Sequence, residues 1–174
     1  MGIREYFVRI TPDELTFLQA AQDRDQVIQF LSQFNDSFFF WPLSEEEELA
    51  AARKLCIEKS WWEMFNAILA MKLDDHHTPT WNMTEAGTPI QDFWIAYSPL
   101  RCLYPEELPR FAELLRSIPE ASLLARFNVD MQDVAMDEEE HQHYFRGFLA
   151  CYSTIGRFID IAIEHNQVLL WYIG

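Results

Sequence analysis

The last residues of the sequence constrain its fold most, because Val168 to Gly174 (VLLWYIG) form an almost uninterrupted apolar run. Terminal residues usually fray, so we expect an apolar run at this position to be paired in a sheet and covered. A second strand-like run, Ile3 to Ile10 (IREYFVRI), is rich in aromatic and β-branched residues. We therefore expect both runs to be strands of one sheet within a single domain spanning residues 1–174.

The composition is that of a globular domain with a dense core. Of the 174 residues, 49% are apolar and 15% are aromatic. The longest apolar stretches fall far short of the ~20 residues that a membrane helix needs, and no signal-peptide pattern is visible. Three widely spaced cysteines without a CxxC pair predict a reducing, cytoplasmic location.

The charge of the chain restricts its partners. There are 28 acidic and 13 basic residues, which gives a formal net charge of −15. Such a charge repels nucleic acid and anionic membranes, which bind clustered lysines and arginines. It favours a basic protein partner, or simply high solubility. We therefore expect no nucleic-acid partner and no membrane partner.

Helix-start signals and apolar periodicity predict five or six helices in an α+β fold. Thr11 and Glu14 form a capping box around Pro12, a residue suited to the first helical position. The apolar period then runs on to Phe34. Further helices are predicted over Ile57 to Lys72, from Pro105 to Leu115, up to Phe127, and from about Asp137 to His165 with Tyr144 to Ala162 facing the core.

The segments between these helices supply one more strand and two loops. Phe93 to Tyr97 (FWIAY) is predicted to be a strand, so the sheet should be small and mainly antiparallel. Asn35 to Pro42 is not amphipathic and is predicted to be an irregular aromatic loop. Asp74 to Asp92 is polar and contains Pro79, Gly87 and Pro89, which predicts a long loop.

No standard catalytic or cofactor motif is present, and no cofactor is predicted. The five glycines form neither GxGxxG nor a P-loop, and GxSxG is absent. His76 and His77, after two aspartates, are possible metal ligands, but adjacent side chains rarely converge on one ion. The Glu138 to His143 segment repeats Glu-x-x-His, yet an acidic helix N-terminus explains it as well. Metal binding is kept as an alternative.

A second alternative is a small-molecule site at Tyr97, Arg101 and Tyr104, within YSPLRCLY. These residues are predicted to lie between the third strand and the Pro105 helix, where mixed folds often bind ligands. A pocket there would make the protein a small-molecule-binding protein or a hydrolase. Tyrosines at such junctions more often close a core, and Cys102 lacks a His-Asn pattern that would make it a nucleophile.

The preferred interpretation is a non-catalytic protein-interaction module with a basic partner. It follows from the acidity, from the missing catalytic motifs and from the aromatic loop. We expect four aromatic residues of that loop to contact the partner: Phe38, Phe39, Phe40 and Trp41.

Several segments together resemble the YfbM-like family of bacterial proteins, domain of unknown function 1877. They are the start Met1-Gly2 with Tyr6-Phe7 and Ile10, the IEKSW segment ending at Trp61, Tyr97 to Leu115, and the LLARFNVD stretch ending at Asp130. The resemblance implies a compact α+β cytoplasmic domain with no established activity. Two positions depart from the family pattern: Phe65 replaces a usual His, and Asp133 to Glu139 (DVAMDEE) replaces a usual YPxxW segment. If either feature supported a common activity, this chain would lack it.

Overall fold

The fold is a mainly antiparallel sheet with helices on both faces. The structure is a computed structural model that describes residues 4–34, 37–38, 46–58, 87–95 and 97–173. The strands are β1 (Arg4–Ile10), β2 (Ser37–Phe38), β3 (Lys54–Glu58), β4 (Thr88–Ile95), β5 (Ser98–Leu103) and β6 (Val168–Ile173). The helices of the described residues are α1 (Pro12–Gln19), α2 (Arg24–Leu31), α3 (Glu46–Ala51), α4 (Leu108–Arg116), α5 (Glu120–Met131) and α6 (Glu138–Glu164). This is the α+β class that the sequence predicts.

The two strands nearest the ends of the sequence lie at the centre of the sheet. The strand order is β2-β3-β1-β6-β5-β4, and all neighbours are antiparallel except β2 and β3. Phe7 lies opposite Trp171 in the middle of the β1–β6 pair. The prediction that both apolar runs join one mainly antiparallel sheet is confirmed.

Alternating side chains of the sheet build two separate cores. On one face, called here the Phe7 face, Phe7 and Trp171 pack with residues of α4, α5 and α6. On the opposite face, the Val8 face, Val8 and Leu170 pack with residues of α1 and α2. Since both faces are covered, β6 is apolar along its whole length, and β1 carries apolar or aromatic residues on both faces from Tyr6 to Val8.

The helix ends follow the local signals in the sequence. Thr11 and Glu14 form the predicted capping box, with the Glu14 carboxylate accepting from the Thr11 amide at 2.7 Å. The long final helix α6 begins after its cap Asp137 and ends before His165, as predicted. Tyr144, however, is 49% exposed, so the expectation that it faces the core is wrong. His141 and Phe145 occupy that side of the helix instead, and both rings pack on Phe127.

Two predictions around the sheet are wrong because distant strands decide them. Ile57 lies in β3 opposite Glu5 rather than at the start of a helix, and residues 59–72 lie outside the described residues. The loop predicted over Asp74 to Asp92 extends too far along the sequence, because residues from Thr88 onward belong to β4. Thr88 pairs with Cys102 of β5. The strand predicted at Phe93 to Tyr97 therefore starts earlier and stops at Ile95, and β5 was not expected.

A buried arginine connects β1 to two helices on the Phe7 face. The guanidinium of Arg9 donates to carbonyls at the end of α3, to Ala50 at 2.8 Å and also to Leu49 and Ala52. Its carbon lies 4.7 Å from the centre of the Phe158 ring of α6. Burial, and then the charge of Arg53, lower the pKa of Arg9 to about 10, so it stays protonated at neutral pH. The negative end of a helix thus holds this charge.

A second arginine joins α1 to the end of β1. Arg53 donates from Nη1 to Glu14 Oε1 at 3.1 Å and from Nε to the Arg9 carbonyl at 3.1 Å. Burial alone would raise the pKa of Glu14, but hydrogen bonds from Arg53 and from the Thr11 backbone lower it below its ordinary value. The ionised form of the Glu14 carboxylate therefore stabilises the folded state.

Replacing Gly87 by alanine tests the approach of β4 to β5. Gly87 has a φ of 75°, and a Cβ there would lie 2.3 Å from the Cys102 carbonyl oxygen. We expect Gly87→Ala to lower the free energy of unfolding by about 2 kcal/mol or more. Gly156→Ala is the matched control, since its Cβ would meet nothing within 4 Å on α6. It should raise stability by about 0.5–1 kcal/mol. Urea unfolding measures both, and equal stability of the two variants would contradict the packing described.

The Arg53–Glu14 pair predicts a pH dependence of stability. A pKa that is lower in the folded than in the unfolded state contributes stability above the unfolded value and loses it as the pH falls through the folded value. Glu14→Gln should therefore cost up to about 1 kcal/mol at neutral pH. The difference from wild type should vanish as the pH falls well below the ordinary glutamate pKa of 4.5. Urea unfolding across this pH range gives the answer, and a difference that does not change with pH contradicts it.

Candidate functional site

The structure does not bring Tyr97, Arg101 and Tyr104 together. Tyr97 lies in the turn before β5 and Tyr104 directly after it, so a whole strand of about 20 Å separates them. Arg101 lies within β5 and donates from Nη2 to the Gly87 carbonyl at 2.9 Å. Tyr104 packs against the Val8-face core. Leu103, two residues after Arg101 and therefore on the same side of the strand, belongs to the core on the Phe7 face. In the described part of the structure, these three side chains therefore do not line one pocket together.

Tyr104 instead belongs to a small polar contact with Cys102. Its hydroxyl lies 3.4 Å from Gln19 Nε2 and hydrogen-bonds Cys102. Burial raises the pKa of the Cys102 thiol to about 11, and the hydrogen bond from Tyr104 offsets this only in part. Cys102 in turn raises the pKa of Tyr104. Neither group titrates near neutral pH, so this contact is unsuited to general acid–base or nucleophilic catalysis.

The histidines that the sequence singled out give no metal site in the described part of the chain. His76 and His77 lie outside the described residues. His141 packs edge-on against Phe127, with ring centres 5.1 Å apart. Among the residues that the structure describes, no group of three or more His, Cys, Asp or Glu side chains could hold a metal ion. The acidic start of α6 serves its helix through the Asp137 and Glu140 capping box.

The most exposed aromatic side chains of the described residues lie at the end of the β4–β5 hairpin. Trp94 is 61% exposed and Tyr97 is 62% exposed. Trp94 lies opposite Pro99, and Ile95 lies opposite Ser98, so Tyr97 is in the tight turn that follows. The two side chains therefore belong to one short segment of surface, which we call the hairpin tip, Trp94 and Tyr97.

Hydrogen bonds to the last strand hold the hairpin tip in place. The Tyr97 amide donates to the Ile173 carbonyl at 3.1 Å. The Ile173 amide donates to the Ser98 hydroxyl at 2.8 Å, and Ser98 is buried. On the other side, Arg24 Nε donates to the Trp94 carbonyl at 2.8 Å. The exposed rings are thus carried by a backbone with fixed hydrogen bonds, as a preorganised binding surface requires.

Sequence reasoning missed Trp94 because it stands in an apolar run that reads as a buried strand. Neighbouring residues of a strand point to opposite faces, and Ile95 is the one that enters the Val8-face core. Of the four aromatic residues proposed from the sequence as partner contacts, the structure describes only the backbone of Phe38. The backbone of Phe38 lies in β2, beside Cys56 of β3, while Phe39, Phe40 and Trp41 lie outside the described residues.

Comparison with known proteins identifies the fold and no activity. The family model "Domain of unknown function (DUF1877)" matches residues 1–172. A solved structure, that of a protein of unknown function YfbM from Escherichia coli, is similar with a TM-score of 0.62 and 16% sequence identity. The match covers 98% of this chain and 99% of that one. A search of curated proteins finds no match. No helix of the described residues combines the length and apolar character that crossing a membrane requires.

The cysteines allow a direct test of the inert character of the Tyr104 contact. Burial raises the pKa of Cys102 to about 11 and that of Cys151 to about 12. Both thiols are therefore protonated at about pH 8, where an ordinary thiol is partly ionised. We expect iodoacetamide to leave the buried Cys102 unmodified in the folded protein and to label it after urea unfolding, as measured by peptide mass spectrometry. Rapid labelling of Cys102 in the folded protein would restore the nucleophile interpretation.

Proposed function

The chain belongs to the DUF1877 family, a family of unknown function, and we propose that it is a non-catalytic protein-interaction module with a basic protein as its partner. The observation that carries the proposal is the hairpin tip, where Trp94 and Tyr97 are both more than 60% exposed. Tryptophan and tyrosine are the residues on which protein–protein binding energy most often depends. A cytoplasmic location belongs to the same proposal.

The charge of the protein supports the choice of a basic partner. A net charge of −15 attracts cationic surfaces over several ångströms and speeds their encounter. Arg24, the residue that binds the Trp94 carbonyl, is flanked in the sequence by Asp23 and Asp25, so the formal charge of these three residues together is −1. Electrostatic attraction alone is screened within about 8 Å at physiological salt. The aromatic side chains would then supply the contact that survives screening.

The preorganised backbone of the hairpin is a further argument for binding. Ordering a mobile loop on binding costs free energy, which a hairpin already fixed to β6 avoids. The hairpin tip, Trp94 and Tyr97, includes no His, Cys or carboxylate, which are the side chains that most often act in catalysis. The aromatic residues Phe38 to Trp41 stay a prediction for a second contact region.

Removing the aromatic side chains of the hairpin tip tests this function. We expect immobilised wild-type protein to retain one or a few basic proteins from a bacterial lysate, and Trp94→Ser/Tyr97→Ser to lose them. Each hot-spot side chain contributes about 2 kcal/mol, so the double variant should bind at least about tenfold more weakly. Quantitative mass spectrometry of the retained proteins, at low and at physiological salt, is the measurement.

Tyr144→Ser is the matched control, because Tyr144 is another half-exposed aromatic residue and lies on α6 rather than on the hairpin. Surface changes of this kind alter stability by no more than about 0.5 kcal/mol, so all three proteins should fold alike. The proposal fails if no protein is retained at either salt, or if the double variant and the control retain the same set.

A further inference from the structure

Among the described strands, β4 is the outermost one at one edge of the sheet, and three features along it disfavour the addition of another strand. Such an edge ordinarily offers a row of free N–H and C=O groups to a strand of another chain. Here Pro89 has no N–H to offer. The pairing register then shifts between Pro89 and Trp94, where Gln91 has a φ of 55°. At Trp94 itself the carbonyl is occupied by Arg24.

The side chain of Gln91 holds the middle irregularity in place. Its Nε2 donates to the carbonyls of Gln19 and Ala21, each at 2.7 Å. These carbonyls lie at the last residue of α1 and two residues beyond it, where a helix leaves its carbonyls unpaired. Straightening β4 to receive another strand would break these bonds. The irregular edge is therefore tied to the helical layer, as bulges that protect sheet edges are expected to be.

From these features we propose that a partner binds the hairpin tip only through its side chains, by placing arginine or lysine groups against the faces of Trp94 and Tyr97. The inference rests on the proposed function and names the chemistry of its partner. Tryptophan is the aromatic residue that binds a cation best, and tyrosine binds it through the same ring electrostatics.

Contacts between cations and aromatic rings already occur within this protein. Three cations of the described residues already lie over aromatic rings: Arg9 over Phe158, Arg53 over Phe34 and Lys54 over Tyr6, at 4.6–4.7 Å from the ring centres. Trp94 and Tyr97, by comparison, are each more than 60% exposed. A second copy of this chain is a poor occupant, because two molecules that each carry −15 repel one another.

Three short blocked peptides separate the modes of binding. The first alternates arginine with glycine, and the second replaces each arginine by citrulline, which keeps the shape and removes the charge. The third alternates threonine with valine and is suited to strand addition. Binding is followed by NMR at physiological ionic strength, through the Trp94 indole N–H signal and the backbone amides of β4. The Trp94 signal is assigned by its loss in Trp94→Phe.

We expect the arginine peptide to shift the Trp94 indole signal and the citrulline peptide to leave it unchanged. Trp94→Ala should weaken binding of the arginine peptide about two- to fivefold, the size of an exposed cation–π contact. Tyr97→Ala should weaken it by no more than that, because tyrosine binds cations less well than tryptophan. Tyr144→Ala, the matched control, should bind the peptide as wild type does.

Three results would overturn the inference: equal shifts with the citrulline peptide, wild-type affinity in Trp94→Ala, or perturbation of the β4 amides by the threonine–valine peptide. Failure here can be told apart from failure of the proposed function. If basic proteins are retained through Trp94 and Tyr97 but the arginine peptide does not shift the Trp94 signal, the module stands and the cation contact is wrong. If no retained protein depends on these residues, the proposed function itself is wrong.

Discussion

The antiparallel pairing of β1 with β6 is the contact on which the rest of the structure depends. It runs from Glu5 opposite Ile173 to Ile10 opposite Val168, at the centre of the sheet. β3 attaches to β1 and β5 attaches to β6, so losing the central pair would divide the sheet into two halves. Because residues of both strands belong to each of the two cores, this division would expose apolar side chains of both cores to water. The pair joins segments far apart in the sequence, so forming it carries a loop-closure entropy cost that contacts between neighbouring residues do not have.

Arg9 shows how the fold satisfies a charge placed within this central strand. The residue is buried, and its guanidinium is held by carbonyls at the end of α3 and by the Phe158 ring. Removing a charge from water is costly unless several groups replace the lost hydration. Here the replacement comes from a helix end, whose carbonyls also lack partners of their own. One side chain thereby fixes the positions of β1, α3 and α6 relative to each other.

Local signals in the sequence were sufficient wherever neighbouring residues decide the structure. The Thr11 capping box and the start of α6 at Asp137 depend on side chains three residues away, and both were predicted correctly. Ile57 was assigned to the wrong element because its partner Glu5 is distant in the sequence. The exposure of Trp94 was missed for a related reason. An apolar strand residue is buried only if a helix covers its side of the sheet, and no local pattern reports that.

An exposed tryptophan on an edge strand would ordinarily invite self-association, and the structure opposes this in two ways. Strand addition is hindered by Pro89, by the irregularity at Gln91 and by Arg24 on the Trp94 carbonyl. Contact between two copies is opposed by a charge of −15 on each. Neither effect covers the side chains of Trp94 and Tyr97, which are each more than 60% exposed. In the proposed function, the surface that remains discriminates by charge, because −15 on each molecule opposes contact between copies and favours a basic partner.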